Sequence, residues 1–495
     1  MSPTASSGGF RSRSKKGRAA SAHRGQRPQD AHRQHGPGRA RTSRPGRGAP
    51  TRDIRGVDKP RQAAYATLRK VTDDAAYGNL TLPHELRARN LSGRDAAFAT
   101  EITYGTLRHL GVLDEVVRAC SNRLLENIAP EVLDALRLGI YQVLFTRVEP
   151  HAAVDTTVNL VGASGEQKLK GFANAIMRTV TRTPKKTWLE KLTPAGEMAA
   201  IAFRTAHPKW IADSFSRVIG IGELEVALAA DSERPLVHLA ALPGEITAEE
   251  LALATGGRTA RYSPYGVYLD GGDPARLEPV KSGLARVQDE GSQLIARALV
   301  EAPVEGEDAG RWLDLCAGPG GKAAFIGALA RMEQAHLDAV EPAAHRAKLV
   351  ETACAGLPVT VHRADGRASG LEAGFDRVLV DAPCSGLGAL RRRPEARWRK
   401  QEADIPGLAS LQFELLKAAL ELVRPGGVVV YSTCSPDVRE TRQVVERAVR
   451  ELAATEEDAH GLVAPMPDLG HEKSVQMWPH RHGTDAMFFA VLRRG

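Results

Sequence analysis

The spacing of hydrophobic residues divides the chain into regions of different structure. Between Pro60 and Thr183 apolar positions recur every three or four residues, which predicts an all-helical region. From Gly283 onward short apolar runs alternate with helical stripes, which predicts a mostly parallel sheet with helices on both faces. A clear helical series is formed by Val132, Leu136, Ile140 and Leu144.

Strands and helices can be assigned within the C-terminal region. A leucine stripe from Leu408 to Leu422 predicts a long helix before the last parallel strand, and the segment 482–492 predicts a closing antiparallel strand. The parallel strands are expected at 311–315, 336–341, 359–363, 376–381 and 427–432.

The region between these two parts has a mixed pattern. Helices are expected around Trp188 and from Pro208 to Phe215. Short strands are expected at 236–242, at 265–269 and around Val287, with Gly/Pro turns between them. This pattern is typical of a small α+β domain.

The N-terminal segment is a basic tail. Residues 1–50 hold twelve Arg or Lys against one acid, Asp30, and almost no large apolar side chains. Such a segment buries too little surface to fold, so we expect disorder, with either non-specific binding to RNA phosphates or no specific role. The remaining residues carry a net charge of −3, since the whole chain carries +8 and this segment +11.

Four segments follow from these patterns. We expect a disordered tail at 1–57, a helical domain at 58–184, an α+β connecting domain at 185–284 and an α/β domain at 285–495.

A glycine-rich turn after the first parallel strand suits a nucleotide-like ligand. Leu313–Lys322 reads Leu-Asp-Leu-Cys-Ala-Gly-Pro-Gly-Gly-Lys, and strand, glycine turn and helix present free backbone amides to a ligand. A phosphate-binding loop would need glycine at Cys316 and Ser or Thr at Ala323. A dinucleotide site would also need glycine at Ala323. The third interpretation is S-adenosylmethionine (SAM), which the downstream residues favour.

Chemically suitable residues follow successive strands. Glu341, after the second strand, suits ribose hydroxyls, and Asp365, after the third, could meet an adenine edge. Asp381 and Cys384 follow the fourth strand, and Cys434 the fifth. Each acid could instead cap a helix, but carboxyl ends of parallel strands share one ligand-binding edge. We therefore expect Cys384 and Cys434 to open into one pocket.

The cysteines argue against other classes of site. Cys120, Cys316, Cys354, Cys384 and Cys434 form no Cys-x-x-Cys pair, so neither a metal site nor a disulfide framework is expected. The pattern fits a reducing cytoplasm. No apolar run approaches a membrane span, and no secretory signal is expected.

Several motifs resemble a known family. Gly318-Pro-Gly-Gly-Lys322, the Cys384/Cys434 pairing and His482-Gly-Thr-Asp485 closely resemble RNA cytosine-5 methyltransferases. Asp95-Ala-Ala-Phe98 and Tyr104-Gly-Thr-Leu-Arg108 resemble a NusB-like RNA-binding domain. Together they resemble bacterial small-subunit (16S) ribosomal RNA m5C methyltransferases. The implied fold is a Rossmann-like class I methyltransferase domain, preceded by an all-α NusB-like domain and a small α+β linker domain.

The resemblance implies SAM as cofactor and roles for the site residues. Cys434 would add to C6 of cytosine, Cys384 would assist release, and Asp381 would contact the cytosine edge or the cofactor. A DNA-type enzyme would instead use a Pro-Cys nucleophile, which Pro383-Cys384 superficially fits. The expected cofactor residues are Cys316, Ala317, Gly318, Pro319, Gly320, Gly321, Lys322, Glu341, Asp365 and Asp381, with Gln288 nearby.

Two departures from the family pattern stand out. Glu-Asn-Glu-like residues usually follow the second cysteine, but here Arg439-Glu-Thr-Arg442 retains a single acid, Glu440. An Arg-Val-Asn run on the first strand of the connecting domain is replaced by His238-Leu-Ala-Ala-Leu242.

A basic segment after Cys384 predicts a contact with RNA. We expect it to clamp the RNA backbone beside the pocket, with an aromatic stacking surface, although a solvated basic turn is the alternative. The expected partner is RNA, namely 16S rRNA or a small-subunit assembly intermediate, and the protein is expected to be monomeric. Alternatives are a tRNA or large-subunit rRNA methyltransferase, or a non-catalytic assembly factor. The expected RNA-contacting residues are Arg391, Arg392, Arg393, Arg397 and Trp398.

Overall fold

The structure, a computed structural model, describes residues 54–495. The predicted disordered tail, 1–57, therefore lies outside the described residues except for 54–57. Val57 is buried against the helical core, and its carbonyl oxygen accepts a hydrogen bond from Gln62 Nε2 at 2.8 Å. The packed chain thus includes the last residue of the predicted tail.

The first part of the described chain is all-helical, as predicted. Its core is centred on α5, whose predicted apolar series is buried throughout. The sequence pattern does not predict the second helix, α2 (Gly78–Ala88). Its apolar stripe is short, and Pro83 removes a backbone donor from its interior. The helices are α1 (Lys59–Asp73), α2 (Gly78–Ala88), α3 (Gly93–Arg108), α4 (Leu110–Cys120), α5 (Pro130–Phe145), α6 (Pro150–Ala163) and α7 (Lys170–Arg182).

The connecting region consists of helices followed by a small antiparallel sheet with strand order β2-β3-β1-β4. Trp188 packs into the core of the preceding helices, whereas Phe215 shares a core with Leu387 and Trp478 further along the chain. The elements are α8 (Lys185–Leu192), α9 (Glu197–Arg204), α10 (Lys209–Ile219), α11 (Ile221–Asp231), β1 (Val237–Ala241), α12 (Ala248–Thr255), β2 (Arg258–Thr259), β3 (Gly266–Leu269), α13 (Glu278–Lys281) and β4 (Ala285–Val287).

The predicted parallel strands are all present and lie next to one another in one sheet. The strand order is β10-β12-β9-β8-β5-β6-β7, and β5 to β9 run parallel. The predicted closing strand, β12, is antiparallel to β9 and also pairs with β10 and β11. The strands are β5 (Arg311–Asp314), β6 (His336–Val340), β7 (Val359–His362), β8 (Phe375–Asp381), β9 (Val423–Thr433), β10 (Ala454–Glu457), β11 (Val475–Gln476) and β12 (Phe488–Arg494).

Helices cover both faces of this sheet, because its strands are apolar on both sides. On β5, Trp312 packs with one core cluster and the next residue, Leu313, with the opposite one. None of the helices in 54–495 is long and apolar enough to cross a membrane. The helices of this region are α14 (Glu290–Glu301), α15 (Gly321–Met332), α16 (Ala344–Ala353), α17 (Ala396–Arg399), α18 (Ile405–Leu422), α19 (Arg442–Glu451) and α20 (Pro479–His482).

An arm, formed by residues 391–400 and including α17, connects the sheet region to the N-terminal helices. Trp398 Nε1 donates to the Leu107 carbonyl oxygen at 2.8 Å, and its ring lies over Gly111 of α4. Arg399 Nη1 donates to the Ala75 carbonyl oxygen at 2.9 Å, beyond the C-terminus of α1. Glu395 accepts from the backbone N–H of Gly78 at 3.1 Å, at the start of α2. The arm therefore ties the two regions together with directional bonds as well as apolar packing.

A glycine pair tests this contact. A Cβ on Gly111 would lie 2.5 Å from the Trp398 ring, whereas a Cβ on Gly222 meets nothing within 4 Å. Both are the second residue of a helix, α4 and α11 respectively. We expect Gly111→Ala to lower the free energy of unfolding by about 1–3 kcal/mol, because the anchored ring must move. Gly222→Ala should change it by less than about 1 kcal/mol. Urea unfolding measures both, and equal effects would contradict the contact.

Candidate active site

The glycine turn between β5 and α15 is built for close approach. A Cβ on Gly318 would lie 2.1 Å from Glu341 Oε2, so a larger residue cannot occupy this position without displacing that carboxylate. Gly320 has φ +105°, in the region that favours glycine, and packs against Val350 and Ala353 of α16. Ala317 N–H donates to the Val340 carbonyl oxygen at 2.9 Å, which fixes the turn beside the end of β6.

The predicted cofactor acids lie at the carboxyl edge of the sheet in different environments. Glu341 is buried beside Gly318, accepts from Ala343 N at 2.9 Å and pairs with Arg346 at 3.2 Å. Asp365 is exposed and pairs with Arg367 at 2.7 Å, while also capping the short turn that follows. Asp365 therefore caps this turn while its carboxylate remains at the surface.

Two buried oxygens beside this turn lack a hydrogen-bond partner among residues 54–495. They are Gln288 Oε1 and Asp314 Oδ2. The Gln288 amide nitrogen lies 3.9 Å from the position of a Cβ on Gly321, so its side chain reaches the turn, as expected. Unpartnered polar atoms beside a glycine turn fit a polar ligand, because burial without a bond is costly. The chemistry of the turn and its acids thus suits SAM.

Lys322 and Asp381 form an ion pair between α15 and β8. Lys322 Nζ lies 2.8 Å from Asp381 Oδ2, and Asp381 Oδ1 accepts from Ser432 Oγ at 3.0 Å. The Lys322 side chain is 10% exposed and that of Asp381 31%. Burial alone would lower the pKa of Lys322, but Asp381 outweighs it and the pKa is raised. The pair places a held positive charge beside the ends of β8 and β9.

The two cysteines meet at this point. Cys384 Sγ and Cys434 Sγ lie 3.4 Å apart, within hydrogen-bond distance for sulfur. Parallel pairing aligns Asp381 of β8 with Ser432 of β9, so the loops that follow leave the sheet side by side. Backbone bonds from Ala382 N to the Ser432 carbonyl and from Gly388 N to the Cys434 carbonyl, both 2.9 Å, hold the loops together. The two thiols that follow β8 and β9 therefore lie in direct contact.

The surroundings of the two thiols differ in charge. The hydrogen bond from Cys384 lowers the pKa of Cys434, and Lys322 acts in the same direction against burial and nearby acids. The same hydrogen bond and burial raise the pKa of Cys384 well above its ordinary value, and Glu440 adds to this effect. Cys434 is therefore the favoured thiolate of the pair. Burial raises the pKa of Cys316 and takes that of Cys354 to about 12, so these thiols suit packing.

Sequence reasoning missed the buried residues that support the two loops. Glu440 is fully buried and accepts from Ser385 Oγ at 2.5 Å and Ser435 Oγ at 2.6 Å. Gln412 of α18 donates to Glu440 Oε1 at 3.0 Å. The signal available in the sequence was a serine directly after each cysteine and one remaining acid after the second.

Arg439 and Arg442, which depart from the family pattern around Glu440, form ion pairs within the protein. Arg439 pairs with Asp437 at 2.7 Å, and Ser214 of α10 donates to the same carboxylate at 2.8 Å. Arg442 pairs with Glu456 and donates to Ser474 Oγ at 3.0 Å. These arginines therefore anchor the segment after β9 to neighbouring elements.

The predicted RNA clamp needs correction. Arg397 is fully buried between Asp231 at 3.4 Å and the Ala206 carbonyl at 3.0 Å, so an RNA contact by this side chain is wrong for this conformation. Trp398 is partly buried, because its ring packs against Gly111 of α4 and its indole N–H is bonded to the Leu107 carbonyl oxygen. The arm uses these groups to join parts of the protein.

Arg391 and Arg392 are likewise engaged within the protein. Arg391 Nε donates to Asp485 at 2.6 Å, and Arg392 Nη2 donates to Asp289 at 2.7 Å. Arg391 is 6% exposed, which contradicts a direct RNA contact for its side chain. An RNA phosphate could bind these arginines only if their internal ion pairs were broken, and breaking them costs free energy. Arg393 is exposed and lies over the Tyr77 ring at 5.4 Å, so it can still face RNA.

The charge asymmetry predicts different thiol reactivities. Iodoacetamide should alkylate Cys434 faster than Cys384 near neutral pH, because the thiolate is the nucleophile. Lys322→Met should slow Cys434 alkylation roughly threefold or more, since it removes a charge that lowers the pKa of this thiol. Lys417→Met, at an exposed position of α18, is the control. Peptide mass spectrometry measures the rates, and equal rates for both thiols in the wild type would contradict the assignment.

Asp314 predicts a pH dependence of stability. Burial raises its pKa to about 7, with a smaller contribution from Asp381, against about 3.9 in an unfolded chain. Between these values the folded state holds a proton that the unfolded state releases, so stability falls as pH rises to about 7 and then levels off. Asp314→Asn should flatten this fall in urea unfolding, and Asp95→Asn, at an exposed site, should not. An unchanged profile for Asp314→Asn would refute the assignment.

Comparisons with known proteins agree with this fold and site. The profile of the family described as "16S rRNA methyltransferase RsmB/F" matches residues 298–493, and that of the NusB family matches 58–182. A Mycobacterium tuberculosis protein named as a methyltransferase is 55% identical over 89% of this chain and 97% of its own length. Ribosomal RNA small subunit methyltransferase B of Klebsiella pneumoniae is 31% identical over 87% of this chain and 96% of its own.

A solved structure extends the agreement to the fold. The crystal structure of PH0851 superposes with a TM-score of 0.76, at 21% identity, over 88% of this chain and 98% of the solved one. The relatives and the family profiles together cover the helical region, the connecting region and the sheet region. The chain therefore belongs to the 16S rRNA methyltransferase RsmB/F family of SAM-dependent RNA m5C methyltransferases.

Proposed function

We propose that the protein transfers a methyl group from SAM to C5 of a cytosine in 16S rRNA, through a covalent bond between Cys434 and C6. The observation that carries this proposal is the contact of two thiols, 3.4 Å apart, beside the Lys322–Asp381 ion pair and the glycine turn. A non-catalytic RNA-binding factor would not need this arrangement. The 16S target is supported by the relatives named as small-subunit methyltransferases.

Cys434 supplies the nucleophile because C5 of cytosine is too weak to attack a methyl group unaided. Addition of the thiolate to C6 forms a carbon–sulfur bond and moves the C5–C6 electron pair onto C5, so one difficult step becomes two easier ones. SAM, when bound, supplies the electrophilic methyl group that C5 takes. A water molecule, acting as the base, then takes the C5 proton. The C5–H electron pair restores the C5–C6 double bond, and the C6–S bond breaks to release the thiolate of Cys434.

The remaining site residues hold the reactants. Asp381 reaches the cytosine N3/N4 edge or the cofactor, and Lys322 favours the thiolate of Cys434. Cys384, the protonated partner of the pair, assists release. The turn from Cys316 through Ala317, Gly318, Pro319, Gly320 and Gly321 to Lys322 would hold SAM, with Glu341 at the ribose hydroxyls and Asp365 at the adenine.

The target base must leave its stack to reach thiols at a strand end. The NusB-like domain is the proposed docking module for RNA. Within the arm, Arg393 is exposed and is the basic residue that we propose to contact RNA. We also propose that the protein acts as a monomer in the cytoplasm, where its five free cysteines stay reduced.

A denaturing gel tests the covalent mechanism. Cys384→Ala and Cys434→Ala are each incubated with SAM and small-subunit rRNA. We expect Cys384→Ala to accumulate a covalent RNA adduct, because formation continues while release is impaired, and Cys434→Ala to form none. Wild-type protein, which turns over, and Cys354→Ala, at a buried position away from the pair, serve as controls.

The reverse pattern would assign Cys384 as the nucleophile, as in the DNA-type arrangement. Absence of both an adduct and methylation with rRNA, while tRNA is methylated, would replace the proposed target. Failure of the wild type to methylate any RNA would favour the binding-factor interpretation.

A further inference from the structure

One buried carboxylate is bonded to both cysteine loops. Glu440 is 0% exposed and belongs to the segment after β9, from which it contacts the segment after β8. It accepts from Ser385 N at 2.8 Å and Ser385 Oγ at 2.5 Å in the first loop, and from Ser435 Oγ at 2.6 Å in the second. Ser385 and Ser435 directly follow Cys384 and Cys434, so each bond acts on the residue next to a thiol.

Further hydrogen bonds hold Glu440 and the first cysteine loop in place. Gln412 Nε2 donates both to Glu440 Oε1 at 3.0 Å and to the Pro383 carbonyl at 2.9 Å, just before Cys384. The Tyr431 hydroxyl donates to the Glu440 carbonyl at 2.6 Å. The two hydroxyl oxygens that donate to Glu440, Ser385 Oγ and Ser435 Oγ, lie 3.0 Å apart. The separation of the two sulfurs is therefore set by residues that share one acceptor.

The charged groups near the thiols are distributed unequally. Glu440 faces Cys384, with the buried Tyr431 phenol also nearby. Lys322, Asp381 and Asp485 face Cys434. The negative charge of Glu440 disfavours a thiolate on Cys384. Around Cys434, Lys322 favours a thiolate, whereas Asp381 and Asp485 oppose it.

We propose that Glu440 is a positioning residue that fixes the two cysteine loops relative to each other and places its carboxylate on the Cys384 side of the pair. This inference rests on the proposed function, in which Cys434 is the nucleophile. With Cys384 neutral, its S–H can donate to Cys434, and expulsion of Cys434 from the base at the end of the reaction restores the same hydrogen bond. Glu440 itself touches neither reacting carbon.

The test compares Glu440→Gln with Glu446→Gln. Gln keeps the size of the side chain but removes its charge, and Glu446 is the matched control, at a position of α19 with a side chain 57% exposed. Iodoacetamide alkylation of each cysteine is followed against pH by peptide mass spectrometry. We expect Glu440→Gln to move the Cys384 profile to lower pH, with alkylation near neutrality at least about threefold faster. Glu446→Gln should match the wild type.

Turnover gives a second measurement. Glu440→Gln should lower kcat for rRNA methylation by about tenfold or more, with the KM for SAM changed less than about twofold, because the cofactor residues are not in contact with Glu440. Glu440→Asp, which keeps the charge on a shorter side chain, should retain the wild-type Cys384 profile while kcat still falls.

Ser385→Ala and Ser435→Ala keep the inference testable if Glu440→Gln does not fold. Each removes one hydroxyl bond to Glu440 and leaves its charge, so kcat should fall while the Cys384 profile stays in place. An unchanged Cys384 profile in folded Glu440→Gln, or wild-type kcat in both serine variants, would overturn the inference. Alkylation needs no RNA, so this result is independent of the adduct assay, which tests the proposed function.

Discussion

The parallel pairing of β8 with β9 is the constraint on which the site depends. Asp381 and Ser432 are aligned across these strands, and the cysteines follow within three residues on each chain segment. Because parallel strands end at the same edge of a sheet, two residues 50 positions apart in sequence come into sulfur contact. The neighbouring strand β5 brings the glycine turn and Lys322 to the same edge. Loss of this register would separate nucleophile, partner thiol and cofactor residues at once.

Buried charged residues near this edge of the sheet have two different roles. At the site, the hydrogen bond between the two thiols raises the pKa of Cys384 and lowers that of Cys434; Glu440 adds to the first effect and Lys322 to the second. Further out, Arg391 is buried in an ion pair with Asp485 within the sheet region, and Arg397 is buried in one with Asp231 of the connecting region. A buried pair is costly to break, since the remaining charge is left unpaired. The basic arm therefore acts as an internal connector, and the docking of RNA falls to exposed groups.

The sequence predicted the parts of the structure that depend on local periodicity and strand ends. The strands β5 to β9, the buried face of α5 and the meeting of Cys384 with Cys434 follow from apolar spacing and from the geometry of parallel sheets. The roles of Glu440 and Arg397 could not be predicted in this way. Charged residues are usually exposed, and burial of either one depends on partners far away in sequence, such as Ser385 or Asp231. Composition alone made the arm look like an RNA-binding segment.

The most direct test of the account is to identify which cysteine becomes bonded to the base in the wild-type protein. The protein is incubated with SAM and 16S rRNA transcribed with 5-fluorocytidine, whose C5 fluorine cannot leave as a proton, so the adduct persists after methyl transfer. Digestion and mass spectrometry then locate the modified nucleotide on a peptide. The account predicts a methylated fluorocytidine on Cys434. A nucleotide on Cys384, or methylation of unmodified rRNA with no trapped peptide, would contradict it.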